Sequence, residues 1–132
     1  MGLDIYFEKA KRNRNEEDNS TEFAYFRKVN FLVEFMNKFG EVENCEPFEI
    51  SKEICQELLD NCETILKEKD ENQKEMLARK LLPTTSGFFF GSTDYDEWYY
   101  RDVKEVRDAM KQIIEEFDAL AEDEYIYFYI WY

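Results

Sequence analysis

Tyr125-Ile126-Tyr127-Phe128-Tyr129-Ile130-Trp131-Tyr132 closes the chain with nothing but aromatic residues and isoleucine. Such side chains fit a pleated, half-buried surface. The alternation predicts a strand with Ile126, Phe128 and Ile130 on one face and Tyr125, Tyr127, Tyr129 and Trp131 on the other. At the opposite end, Leu3, Ile5 and Phe7 alternate with Asp4, Tyr6 and Glu8, the same period of two. Neither segment has another obvious partner, so the two termini are expected to pair with each other.

Helical stripes occupy much of the interval. Ser51 is placed to cap a helix whose apolar face is Ile54, Cys55, Leu58, Leu59, Cys62, Ile65 and Leu66. Met76, Leu77, Leu81 and Leu82 suggest a shorter one, ended by Pro83. Thr93-x-x-Asp96 resembles a capping box and announces the longest, with Tyr99, Val103, Val106, Met110, Ile113, Ile114, Phe117 and Leu120 in its stripe. The run from Ser20 or Thr21 to Phe39 is read as a central helix, apolar over most of its circumference and stopped by Gly40. On that wheel Asn30 falls in the polar strip, while Lys28 falls beside Leu32, Phe35 and Phe39. Lys28 then either snorkels to water or has a fixed partner, for which Asp94 and Asp96 are the nearest plausible carboxylates. The expected fold is α+β: a layer of three to four helices packed on a small antiparallel sheet formed by the N- and C-terminal strands, as one domain over residues 1–132.

The formal net charge of −14 removes the basic footprint of a nucleic-acid binder and disfavours docking on anionic lipid, so direct nucleic-acid binding and membrane binding are not expected. A protein partner would carry a basic surface. There is no histidine, which removes the commonest general base and zinc ligand together with every Ser-His or Cys-His nucleophile. Cys45, Cys55 and Cys62 lack a CxxC spacing, and Cys55 and Cys62 fall on one apolar face, which predicts buried thiols in a reducing compartment. No cofactor or metal is expected. With no signal-peptide pattern and no apolar run approaching a membrane span, the expected location is the cytoplasm.

One stretch, Pro83-Thr84-Thr85-Ser86-Gly87-Phe88-Phe89-Phe90-Gly91-Ser92-Thr93-Asp94-Tyr95-Asp96, combines a glycine-fenced aromatic core with hydroxyls and carboxylates. Three adjacent phenylalanines favour burial by about 1.5–3 kcal/mol each, so the loop is expected to plug into the core and hold a polar collar at the surface. Whether Phe88 to Phe90 form a strand stays open at this point. Thr84, Ser86, Ser92, Asp94 and Asp96 are the candidate collar residues, with Arg27, Lys28 or Arg101 as a clamp for an anion. Caps and turns explain the same hydroxyls and carboxylates without a ligand. Tyr127, Tyr129 and Trp131 are candidates for a docking face, against the alternative of a sheet face covered by a loop.

The opening Met1-Gly2-Leu3-Asp4-Ile5-Tyr6, the block Ala24-Tyr25-Phe26-Arg27-Lys28-Val29-Asn30, the segment from Leu82 to Asp96 with its Gly-Phe-Phe-Phe-Gly-Ser core, and the aromatic C-terminus resemble a family of small uncharacterised bacteriophage and prophage proteins. The resemblance implies a phage-type context in a bacterial host cell and carries over no catalytic residue. Phe26 and Ile130 depart from its pattern, in which Trp and a small polar residue are usual. Charge, missing histidine and resemblance lead to one expectation: a non-enzymatic acidic protein that binds and modulates a host or defence protein, as an anti-defence or anti-CRISPR-like inhibitor would. The alternative is a small-ligand or nucleotide-binding domain, or a hydrolase, that uses residues 84–96.

Overall fold

In the computed structural model, which describes residues 2–13, 19–87 and 89–132, the chain runs β1 (Asp4–Lys11), β2 (Thr21–Arg27), α1 (Asn30–Met36), β3 (Phe48–Glu49), α2 (Lys52–Lys67), α3 (Glu71–Leu81), α4 (Glu97–Phe117) and β4 (Glu124–Trp131). The terminal strands pair as their alternation requires. β1 and β4 lie antiparallel with Ile5 opposite Ile130, Phe7 opposite Phe128 and Tyr6 opposite Tyr129. The antiparallel sheet has four strands in the order β2-β1-β4-β3, and four helices pack on it. The fold is α+β.

One face of this sheet is apolar and meets the helices. Ile5, Phe7, Phe26, Phe128 and Ile130 join Phe35 and Met36 of α1, Cys55, Leu58 and Cys62 of α2, and Val103, Val106 and Met110 of α4 in a single core. The helices begin where side chains satisfy their free amides. The Ser51 hydroxyl accepts from Ile54 N–H at 3.2 Å, and the Asp70 carboxylate accepts from Gln73 N–H at 3.0 Å. α4 opens at Asp96, whose carboxylate accepts from Trp98 and Tyr99 N–H, both at 3.1 Å. Asp96 is thus the cap itself, and not the third helical residue after a Thr93 cap. Among the described residues no helix is long and apolar enough to cross a membrane.

The expected central helix from Ser20 to Phe39 is instead an edge strand, a sharp turn and a short helix. In β2, Phe26 lies opposite Ile5 and Ala24 opposite Phe7, but the next pair is Glu22 with Glu8, so Phe23 is the extra residue of a bulge. The bulge breaks the period of two and turns Phe23-Ala24-Tyr25-Phe26 into an unbroken apolar run, which on a helical wheel looks like a helix buried all round. Its aromatic residues lose rotamer freedom in a helix, and pairing with β1 wins. Lys28 then reverses the chain with φ of 60°, a left-handed conformation that disfavours any side chain, and its N–H donates to Leu3 O at 2.7 Å. Lys28 is consequently exposed, and not on the apolar side of a helix. β3, within the connection from Glu41 to Ile50, is a two-residue strand too short to leave a pattern. Around it Asn44 extends the edge: its side chain donates to Tyr132 O at 2.9 Å and accepts from Tyr132 N–H at 3.0 Å.

Of the aromatic triplet, Phe90 is buried and Phe89 is 45% exposed, while Phe88 lies outside the described residues. The plug therefore rests on Phe90, packed edge-on against Tyr132 with ring centroids 5.1 Å apart. Phe89 turns outward because its φ is 64°, and its carbonyl accepts from Leu3 N–H at 3.1 Å. Neither Phe89 nor Phe90 belongs to a strand.

Phe128 is fully buried on the central pair of strands, whereas Trp131 on the same strand is 56% exposed. Phe128→Ala should destabilise the fold by about 3–5 kcal/mol and Trp131→Ala by about 0.5 kcal/mol or less, as read from urea unfolding. Equal effects would place the core elsewhere.

Candidate functional site

Asn30 is a polar residue buried to 2% exposure at the first turn of α1. All of its main hydrogen-bonding capacity is spent on the loop that follows α3. Its amide donates to Phe90 O at 3.0 Å and to Ser92 O at 2.9 Å, and its carbonyl oxygen accepts from Thr85 N–H at 3.1 Å. One side chain thus binds both limbs of the 84–96 loop to α1. Thr84 adds the neck of the loop, its hydroxyl donating to Thr93 O at 2.9 Å and its N–H donating to the Tyr95 hydroxyl at 3.0 Å. Tyr99 anchors the base by donating to Leu82 O at 2.7 Å, and burial pushes its hydroxyl pKa upward.

This scaffold walls a cleft of about 260 Å³. Arg27 and Lys28 from the turn after β2, Thr84, Ser92, Asp94 and Asp96 from the loop, and Trp98, Arg101 and Asp102 from α4 all line it. Six of the candidate binding residues therefore converge: Arg27, Lys28, Thr84, Ser92, Asp94 and Asp96. Ser86 is exposed and does not line the cleft. Of the two alternatives for Lys28, the fixed pair is not formed, since among the described residues Lys28 makes no salt bridge with Asp94 or Asp96 and its side chain is exposed. The Asp96 carboxylate is taken by the α4 cap, and the Ser92 hydroxyl accepts from Asp94 N–H at 3.0 Å to close a turn. Gly91 gives the Lys28 stem its place: its φ is +89°, and a Cβ there would stand 3.0 Å from Lys28 Cβ and 3.3 Å from Cδ.

Asp102 was not legible as a site residue. Its side chain is 24% exposed and its nearest cation, Arg101, is 3.8 Å away, while Arg101 also lies over the Trp98 ring at 4.6 Å. Burial, opposed by Arg101 and reinforced by Glu105 and Asp96, pushes the Asp102 carboxyl up from 3.8 to about 6.

The opposite face of the sheet carries the other candidates. Tyr25, Tyr6 and Tyr129 form one row across β2, β1 and β4, with ring centroids 5.2 Å and 6.2 Å apart. The neighbouring rows set Arg27, Asp4 and Trp131 side by side, and Glu22, Glu8 and Tyr127. Tyr25 donates to Asp4, and the Tyr127 hydroxyl donates to Glu8 at 2.7 Å. Burial and then the charges of Asp4, Glu22 and Glu8 raise the Tyr6 pKa, so this face is both aromatic and acidic. Tyr127 is itself buried, at 5% exposure, as the alternative of a covered sheet face has it, while Tyr129 is half-buried and Trp131 exposed. Cys55 and Cys62 are buried thiols pushed up to about 12 by burial, and Cys45 is exposed. No protein-family model, curated protein or solved structure matches the chain.

Two outcomes follow from this geometry. Asn30→Ala removes three hydrogen bonds and strands their backbone partners, so it should cost about 2–4 kcal/mol in urea unfolding. Asn30→Asp, which aims a carboxylate at two carbonyl oxygens, should be no better; a loss of under about 0.5 kcal/mol in both would contradict the clasp. For Asp102 the folded pKa lies above the unfolded one, so the folded chain binds the extra proton and this group's contribution to stability falls as pH rises from 3.8 to about 6. Asp102→Asn should therefore melt higher than the parent at neutral pH, with the gap closing toward pH 4. A gap that is constant with pH would remove the argument.

Proposed function

We propose that this chain is a non-enzymatic binding protein of phage type that engages a host or defence protein in the bacterial cytoplasm through the outer face of its sheet. One observation carries the reading: the face turned away from the helices sets Tyr6, Tyr25, Tyr129 and Trp131 among the carboxylates of Asp4, Glu8 and Glu22. Tyrosine and tryptophan supply large, stiff contact area at low entropic cost, and carboxylates between them complement arginine and lysine. The partner surface that fits is basic, with guanidinium groups able to stack on the rings and pair with the acids. The overall charge of −14 adds long-range attraction to such a surface. An inhibitor of a nucleic-acid-binding defence protein has this character, because its target's working surface is basic.

The test is affinity capture from bacterial lysate with the parent and with a Tyr25→Ala/Trp131→Ala variant, followed by kinetics on the captured protein. The expected result is a basic partner kept by the parent and lost by the variant, with an association rate that falls steeply as salt rises past the point where the Debye length reaches about 8 Å. A partner held equally by both proteins, or an association rate indifferent to salt, would refute the reading.

A further inference from the structure

The cleft beside the β2 to α1 turn is a second surface, which shares Arg27 with the outer face of the sheet. Two of its groups are placed with care and left without a close partner of opposite charge. Lys28 holds a left-handed φ of 60°, and its stem runs over two glycines. A Cβ on Gly91 would stand 3.0 Å from Lys28 Cβ, and one on Gly2 would stand 3.2 Å from Lys28 Cε. A lysine serving only solubility needs no such slot, and strained backbone gathers at binding sites because the surroundings must hold it. Lys28 nevertheless makes no salt bridge among the described residues. Facing the same space, the Asp102 side chain is three-quarters covered yet its carboxylate accepts no hydrogen bond among the described residues, and its ion pair with Arg101 is loose at 3.8 Å. Arg101 is also shared with the Trp98 ring at 4.6 Å and with Glu105 at 3.9 Å.

Charge within the cleft balances: Arg27, Lys28 and Arg101 against Asp94, Asp96 and Asp102. A polyanion such as a nucleoside triphosphate would meet three carboxylates there, and a simple cation would meet three bases. A molecule carrying one charge of each sign meets complementary groups at both ends. The Trp98 and Tyr99 amides at the start of α4 are not available to an anion, since Asp96 already accepts from both. The cavity, at about 260 Å³, is below the usual size of drug-like pockets and suits something of amino-acid size.

We propose that this cleft binds a small zwitterion, with Lys28 receiving its carboxylate and Asp102 its ammonium group. The ligand would complete the two charges that the fold holds apart, and the cost of keeping them is the usual mark of a site that exchanges stability for binding.

The experiment uses the full chain at pH 7.5, with glycine, β-alanine and γ-aminobutyrate as a series of increasing charge separation, and butyrate and butylamine as single-charge controls. Calorimetry and thermal melts should show binding of at least one zwitterion at about 1 mM or tighter, raising the melting temperature, while neither control shifts it at about 10 mM. Lys28→Met and Asp102→Asn should each weaken that binding at least about tenfold, with circular dichroism and cooperative melting retained; Lys28→Gln serves if the Met variant fails to fold. The proposal is overturned if no member of the series binds at about 10 mM, if butyrate or butylamine binds as well as the zwitterion, or if both variants bind like the parent.

Discussion

The Asn30 side chain is the constraint on which the arrangement depends. A buried amide left unsatisfied would cost more than it contributes, so its position is tolerated only because Phe90 O, Ser92 O and Thr85 N–H all meet it. Those three groups come from both limbs of a loop that has no regular structure to satisfy its own backbone. Without the clasp, the carbonyls around Gly91 would need water, and the loop would leave the surface of α1. With it, Phe90 reaches the core, Gly91 closes on the Lys28 stem, and Leu3 N–H finds Phe89 O. The N-terminal strand, the strand-to-helix turn and the loop are thereby one unit.

That unit explains why strain is kept. Lys28 and Phe89 both have positive φ without being glycine, which costs each of them about 1–2 kcal/mol. Lys28 N–H donating to Leu3 O and Leu3 N–H donating to Phe89 O bracket the two strained residues around a single strand end. The core behind them is ordinary by comparison: one-sided stripes on α2 and α4 against alternating residues of β1 and β4.

Much of this was legible in the sequence. β1, β4, α2 and α4 each bury one face, so their period shows directly in Ile5 and Phe7, Ile126 and Phe128, Cys55 and Cys62, Val103 and Val106. β2 was not, because the bulge at Phe23 disrupts its period and the following α1 continues the apolar run. The same misreading placed Asn30 on a polar strip facing water. A signal did exist: Asn30 stands inside Val29-Asn30-Phe31-Leu32-Val33, where a polar residue demands a partner. The cleft was half legible, since hydroxyl and acid residues of one loop can be collected by proximity in sequence, whereas Asp102 and Trp98 reach it only through the direction of α4. Met76, read as part of an apolar stripe, is 63% exposed, because α3 fully buries Ala78 alone and the next buried side chain, Leu82, comes just after the helix.

The clasp makes a statement about one amide that no other arrangement of the loop shares. Thr85 lies in irregular chain, and its N–H is bonded to the Asn30 side chain at 3.1 Å, with no backbone ladder around it. Native-state hydrogen exchange of that amide, followed by NMR, is the most direct measurement. If Asn30 holds the loop, Thr85 N–H should exchange as slowly as the amides of β1 and β4 and only through global unfolding, far slower than the neighbouring exposed Ser86. Exchange of Thr85 at the rate of an open loop, with the strands still protected, would contradict the account.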